Sequence, residues 1–160
     1  MYKRKYTGKG IGVAILDTGI FPHIDFGRRI LAFCDFTEGK SGPYDDNGHG
    51  THVSGILGGD GTASQGRYKG AAPGCGIVAL KVLDRFGNGS REDVLQAFQW
   101  IEDFGKIYNI RIVNISVGTT SRSMNEQTDL LAGVEQLWDK GFTVVAAAGN
   151  QGPGDGTVTA

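Results

Sequence analysis

Four apolar, β-branched runs punctuate the chain, over residues 11–16, 77–83, 110–117 and 142–148. Each is continuous rather than alternating, the pattern of strands covered on both faces and so of a parallel sheet. Between them the apolar positions shift to a helical spacing. Val94, Leu95, Phe98, Ile101 and Phe104 follow a Ser90–Asp93 start signal, and Leu130, Leu131, Val134, Leu137 and Trp138 follow Ser123 and Glu126. Gly105 and Gly141 stand where these helices would stop. A third helix, short and glycine-rich, is read at residues 49–58, with polar loops at 38–48 and 58–67 on either side. Strands alternating with helices predict an α/β fold in three layers, a mostly parallel sheet flanked by helices.

Bulk properties narrow the partners. A chain of 160 residues fits one domain. A net charge of −1 and a pI near 6.3 provide no electrostatic footprint for nucleic acid or an anionic membrane, so neither is expected. No run of 18 apolar residues occurs. The start, Met1-Tyr-Lys-Arg-Lys-Tyr6, is basic with no apolar segment behind it, so it does not read as a signal peptide. Both a cytoplasmic location and secretion after removal of a leader stay open. Cys34 and Cys75 have no metal or disulfide-framework spacing and are expected as two free, partly buried thiols.

The candidate chemistry centres on the block from Asn47 to Gly55. His49 lies between Gly48 and Gly50 at the mouth of the predicted short helix, and Asp17 ends the first apolar run. A carboxylate at a strand end and a histidine at a helix start can meet at the carboxyl edge of a parallel sheet, which orients an imidazole for general-base work. Asn150 ends the fourth run with an amide that can polarise an oxygen. Two other readings are weaker. His49 and His52 are three residues apart with Gly-Thr between, whereas a zinc helix needs four and a glutamate; Asp45 and Asp46 read as turn residues of a solvated loop. Gly8, Gly10 and Gly12 precede a strand instead of opening a helix, so they do not form a dinucleotide fingerprint.

Asp17-Thr18-Gly19, His49-Gly50-Thr51-His52-Val53 and Ala148-Gly149-Asn150, in this order, resemble the signature blocks of the subtilisin-like serine proteases, the subtilases. The resemblance implies serine-type endopeptidase chemistry on peptide or protein substrates, with no cofactor in catalysis. Asp17 would orient the imidazole, His49 would act as base, and Asn150 would donate to the oxyanion. Ser116, Val117 and Gly118 resemble the segment that pairs with substrate backbone. Gly87, Asn88 and Gly89 resemble the second pairing segment, and Ala147, Ala148 and Gly149 the opposite wall of the P1 pocket. Asp25 matches a position that binds calcium in some members, but the loop that completes that site, here residues 58–70, is different, so no complete calcium site is assigned.

In the family the nucleophile lies in a Gly-Thr-Ser-Met-Ala type block well after the asparagine, and the 160 residues contain none; Ser116, Ser121 and Ser123 do not stand in such a block. Residues 1–160 are therefore expected to be the N-terminal part of a single catalytic domain, its sheet incomplete at the C-terminal end and its serine further on, inactive by itself. Apolar faces of Val113, Ile115, Val144 and Val145 would then lack partners and invite the missing C-terminal fragment or self-association. The alternative is a catalytically dead, subtilase-fold binding or regulatory module. Retention of Asp17, His49 and Asn150 together argues against it.

Overall fold

The structure, a computed structural model, describes residues 6–117 and 124–149, with the side chains of 124–127 left out. Five strands form one sheet: β1 (Gly12–Asp17), β2 (Ile30–Asp35), β3 (Gly76–Lys81), β4 (Ile110–Ile115) and β5 (Thr143–Ala146), in the order β2-β3-β1-β4-β5. All four neighbouring pairs are parallel. Three helices fill the crossovers: α1 (His49–Gly58), α2 (Arg91–Phe104) and α3 (Met124–Asp139).

Side chains alternate along the strands, so each apolar run supplies both faces of the sheet. Ala14, Leu16, Val78, Leu80, Val113 and Ile115 pack with Val94, Ala97, Phe98 and Ile101 of α2 and Leu137 of α3. Val13, Ile15, Ile77 and Ala79 turn the other way, onto Ile20, Phe26 and Cys75, with Val53 and Leu57 of α1 against them. Three layers result, with β1 buried at every residue. None of the described helices is long and apolar enough to cross a membrane.

The Ser90 start signal is realised as a reciprocal cap. The Asp93 N–H donates to Ser90 Oγ at 3.0 Å, and the Ser90 N–H donates to the Asp93 carboxylate at 3.3 Å. Ser123 lies outside the described residues. Gly141 ends its turn left-handed, at φ 89°. Gly105 does not: it stays right-handed, and Asn109 takes the left-handed position at φ 47° instead. Cys34 and Cys75 are free, half-buried and buried respectively.

Three expectations need correction. Residues 30–35 form a strand, β2, although Ile30-Leu-Ala-Phe-Cys34 carries the same apolar signal as the other runs. As the edge strand it is only partly covered, and Leu31 is exposed. β4 and β5 are not covered on both faces, because α1 spans only the β1–β3 part of the sheet; Val145 is 50% exposed and Arg111 faces solvent. Val113 and Ile115 are not on that open face. The two-residue period turns them, with Val144, under α2 and α3, so the open row is Thr143 and Val145 of β5 beside the partly covered Ile112 and Asn114 of β4.

One buried group on α1 is out of keeping with its surroundings. Ser54 is fully buried, and its hydroxyl has no hydrogen-bond partner among the described residues. An orphaned buried hydroxyl costs about 1 kcal/mol or more. Ser54→Ala is therefore expected to raise the unfolding free energy by about that amount in urea titration. A drop in stability would show that the hydroxyl is satisfied.

Candidate active site

β1 ends in Asp17, 1% exposed, at the carboxyl edge of the sheet. A buried carboxylate must have its charge answered. Here the Thr18 N–H donates to Asp17 Oδ1 at 2.7 Å, and His49 Nδ1 lies 2.8 Å from Oδ1 and 3.0 Å from Oδ2. A carboxylate only accepts, so the shared proton sits on Nδ1, which leaves Nε2 of the half-exposed ring with its lone pair outward. This orientation is what a general base requires.

His49 is held there by the entry to α1. Gly48 caps the helix without a side-chain bond of its own, at φ 102°. Asp45 does the capping from outside. Its Oδ1 accepts from the N–H groups of Asn47 (3.1 Å) and Gly48 (2.8 Å), and its Oδ2 from the Thr51 N–H (2.9 Å) and hydroxyl (2.5 Å). Thr18 Oγ1 also donates to Asp45 at 2.9 Å, and the Gly50 N–H donates to Thr18 Oγ1 at 2.9 Å. The turn after Asp17 and the first turn of α1 are thus laced together by one carboxylate and one hydroxyl. Asp45 is not a plain residue of a solvated loop, and neither is Asp46, which pairs at 2.8 Å with the buried ammonium of Lys81. Sequence reasoning passed over Lys81, although a lone charge inside an apolar strand run is a usable signal.

Asp35, at the end of β2, organises the loop that follows. It accepts from the N–H groups of Thr37, Glu38 and Lys40, from the Thr37 hydroxyl, and from Tyr44 Oη at 2.7 Å. Burial pushes the Asp35 carboxyl up, but these donors outweigh it and hold it at about 2. Asp45 behaves alike: burial raises it, while Thr51, Gly48 and Thr18 bring it down to about 2. Burial, then the bond it donates to charged Asp35, pushes the Tyr44 hydroxyl well above the ordinary phenol range.

Both carboxyls are lowered, so their stabilisation is complete above an ordinary carboxyl value near 4 and is lost as pH falls toward 2. Allowing for partial solvent contact, each contributes about 1–2 kcal/mol. Urea unfolding at pH 5 and at pH 2.5 is expected to show that loss, and Asp45→Asn to reduce it. An unchanged pH dependence in Asp45→Asn would contradict the assignment.

The segments expected to meet substrate reach the same edge. The Ser116 N–H donates to Leu16 O at 3.4 Å and the Ala147 N–H to Ile115 O at 3.0 Å, so the first segment leaves β4 next to the Asp17 strand and the second leaves β5 one strand further out along the same edge. Val117, Ala148 and Gly149 continue from them. Asn114 Nδ2 donates to Ser116 Oγ at 2.7 Å. On the β3 side, Gly87, Asn88 and Gly89 lie in a tight loop closed by Asp84, whose N–H donates to Asn88 O at 2.7 Å. Asn47, two residues before His49, donates its amide to Arg85 O at 3.0 Å and joins that loop to the histidine turn. Gly118 and Asn150 lie outside the described residues.

The oxygens around Asp25 and the Gly58 turn are engaged within the chain. The guanidinium of Arg29 already donates to the carbonyls of Asp25, Gly58 (2.6 Å) and Cys75 (3.2 Å) and lies 3.6 Å from Asp60. The Asp25 carboxylate accepts from the Ala63 N–H at 2.6 Å. Among the described residues no group of three or more His, Cys, Asp or Glu side chains could hold a metal. His52 and His23 line a separate cavity of about 540 Å³ on the outer side of α1.

A parallel three-layer sheet with a carboxylate–imidazole pair at its carboxyl edge defines a hydrolase-like α/β class, and similarity to known proteins makes it specific. The chain belongs to the Subtilase family, whose profile matches residues 8–160. It is 41% identical over 157 residues to serine protease AprX of Bacillus subtilis (strain 168), a match covering 95% of this chain and 36% of AprX. It is 35% identical over 153 residues to Subtilisin Savinase of Lederbergia lenta, covering 96% of this chain and 52% of that one. A crystal structure of a cold adapted subtilisin-like serine proteinase superposes with TM-score 0.78 at 28% identity, over 94% of this chain and 50% of that one. Sphericase superposes with TM-score 0.72 at 30% identity, over 96% and 50%. The chain thus spans about half the length, or less, of these relatives.

Proposed function

We propose that the chain carries the aspartate and histidine of a serine endopeptidase, and that the serine comes from residues beyond these 160. The observation that carries this reading is the 2.8 Å contact between His49 Nδ1 and a carboxylate that is 1% exposed. His49 Nε2 takes the proton of the serine hydroxyl as its oxygen attacks the substrate carbonyl carbon, and Asp17 stabilises the resulting imidazolium. The Asn150 amide donates to the tetrahedral oxyanion. His49 returns its proton to the leaving amine, and a water repeats the sequence on the acyl-serine.

The substrate is a peptide or protein segment lying extended between residues 87–89 and 116–118, where backbone hydrogen bonds give affinity with loose sequence preference. Residues 147–149 form the far wall of the P1 pocket, and their small side chains suit a large apolar P1 residue. Two further features support a serine-bearing segment that completes the domain. The row Ile112, Asn114, Thr143 and Val145 is covered only in part, and the solved relatives extend to about twice the matched length. In the 160-residue chain that row also favours self-association.

The test is hydrolysis of a peptide amide by the full-length protein, together with covalent labelling of one serine by a phosphonyl fluoride. The 160-residue chain is expected to show neither. A full-length protein with its serine present and no activity would overturn the endopeptidase reading in favour of a binding module.

A further inference from the structure

We propose that Lys81 is a positioning residue for the active site, one buried ammonium that fixes Asp17, His49 and the substrate-pairing loop relative to one another. The proposal rests on the endopeptidase reading above. Lys81 ends β3 in register with Asp17 on one neighbouring strand and Asp35 on the other, and is 1% exposed. Neither flanking carboxylate takes its charge. Asp17 is occupied by Thr18 and His49, and Asp35 by Thr37, Glu38, Lys40 and Tyr44.

The ammonium reaches past them instead. It donates to Thr18 O at 2.8 Å, to Leu83 O at 2.7 Å and to Asp46 Oδ1 at 2.8 Å, and lies 5.2 Å from the Tyr44 ring centre. Three donors meet three acceptors, so the buried cation is fully used. Each acceptor belongs to a different part of the site. Thr18 follows Asp17 and donates to its carboxylate. Asp46 lies three residues before His49. Leu83 opens the loop that carries Gly87, Asn88 and Gly89.

The segments also bond directly: the Leu83 N–H donates to Asp17 O at 3.2 Å, the Gly50 N–H to Thr18 Oγ1 at 2.9 Å, and Asn47 to Arg85 O at 3.0 Å. Among the described residues, Lys81 is the one group that bonds to all three at once, from a side chain that is 1% exposed. A buried charge also makes the geometry discrete, because moving any one acceptor away leaves part of the ammonium unsatisfied. A misplacement near 1 Å in a reacting pair costs about a hundredfold in rate.

The test uses the full-length protein. Lys81→Met keeps the stem and removes the donors; Asp46→Asn removes the charge of the partner whose side chain is 30% exposed, and carries the test if Lys81→Met does not fold. Lys81→Arg restores a cation with a differently shaped set of donors. The readouts are kcat and KM on a peptide amide, and the far-downfield NMR resonance of the His49 Nδ1 proton shared with Asp17.

Expected results are a kcat lowered about 10- to 100-fold in Lys81→Met, a smaller fall in Asp46→Asn, KM little changed, and a broadened or lost resonance. Lys81→Arg is expected to recover part of both. Unchanged kcat per folded molecule and an intact resonance in Lys81→Met and Asp46→Asn would overturn the proposal. Absence of the resonance and of activity in the unaltered protein would instead sink the endopeptidase reading on which it stands.

Discussion

His49→Ala in the full-length protein is expected to lower kcat on a peptide amide by about 10⁶-fold, and Asp17→Asn by about 10⁴-fold. The figures are those known for the equivalent changes in subtilisin and related triads, and they are carried over rather than derived from this geometry. What the geometry supplies is the reason the two differ. Without His49 no group near the edge can accept the serine proton. Asp17→Asn leaves a side chain of the same shape that can still accept from the Thr18 N–H at 2.7 Å. Its amide N–H₂, however, would face His49 Nδ1 and select the tautomer protonated on Nε2, which cannot act as base. KM should move little in either variant, because in the proposed binding mode substrate pairs through its backbone with segments that neither substitution touches. Far-UV circular dichroism and Tm should stay near wild type for His49→Ala, since half of that side chain is exposed. Cleavage that persists in purified His49→Ala would show that the base lies elsewhere.

The residues that are chemically unusual were the ones legible in the sequence. Asp17 and His49 each sit in a short glycine-flanked block at the end of an element, a strand end and a helix start that can meet on one sheet edge. Hydrophobic periodicity located four of the five strands and the two longer helices. It did not separate the two faces of a strand against coverage. An apolar run such as 110–117 looks fully buried, whereas α1 covers only part of the sheet and Val145 remains 50% exposed. Lys81 was hidden for a related reason. Its role depends on three acceptors drawn from positions 18, 46 and 83, and no local spacing records that they converge. Asp45 shows the limit from the other side. Turn chemistry identified it as a loop carboxylate, but only the fold shows that its two oxygens replace the cap that Gly48 cannot provide.

Gly50→Ala is expected to be strongly damaging to this site. Gly50 is buried in the first turn of α1 and lies against the turn that follows Asp17. A Cβ there would overlap the Gly19 carbonyl oxygen and come within 3.0 Å of Gly19 N and 3.1 Å of Asp17 Oδ1. The obstructing atoms are mostly backbone, so no rotamer change relieves them, and the helix must back away from β1. Overpacking of this kind costs about 1–3 kcal/mol, against roughly 1 kcal/mol returned by the better helix propensity of alanine. The larger effect is on chemistry. Displacing α1 stretches the Gly50–Thr18 bond at 2.9 Å and the His49–Asp17 contact at 2.8 Å together, and a shift near 1 Å lowers turnover about a hundredfold. Gly55→Ala supplies the internal control. It lies one and a half turns further along α1, where a Cβ meets nothing within 4 Å, so it should stabilise the protein by about 0.5–1 kcal/mol and leave kcat unchanged. Equal kcat in the two variants, measured per folded molecule, would mean that the close approach of α1 to Asp17 does not set the position of the histidine.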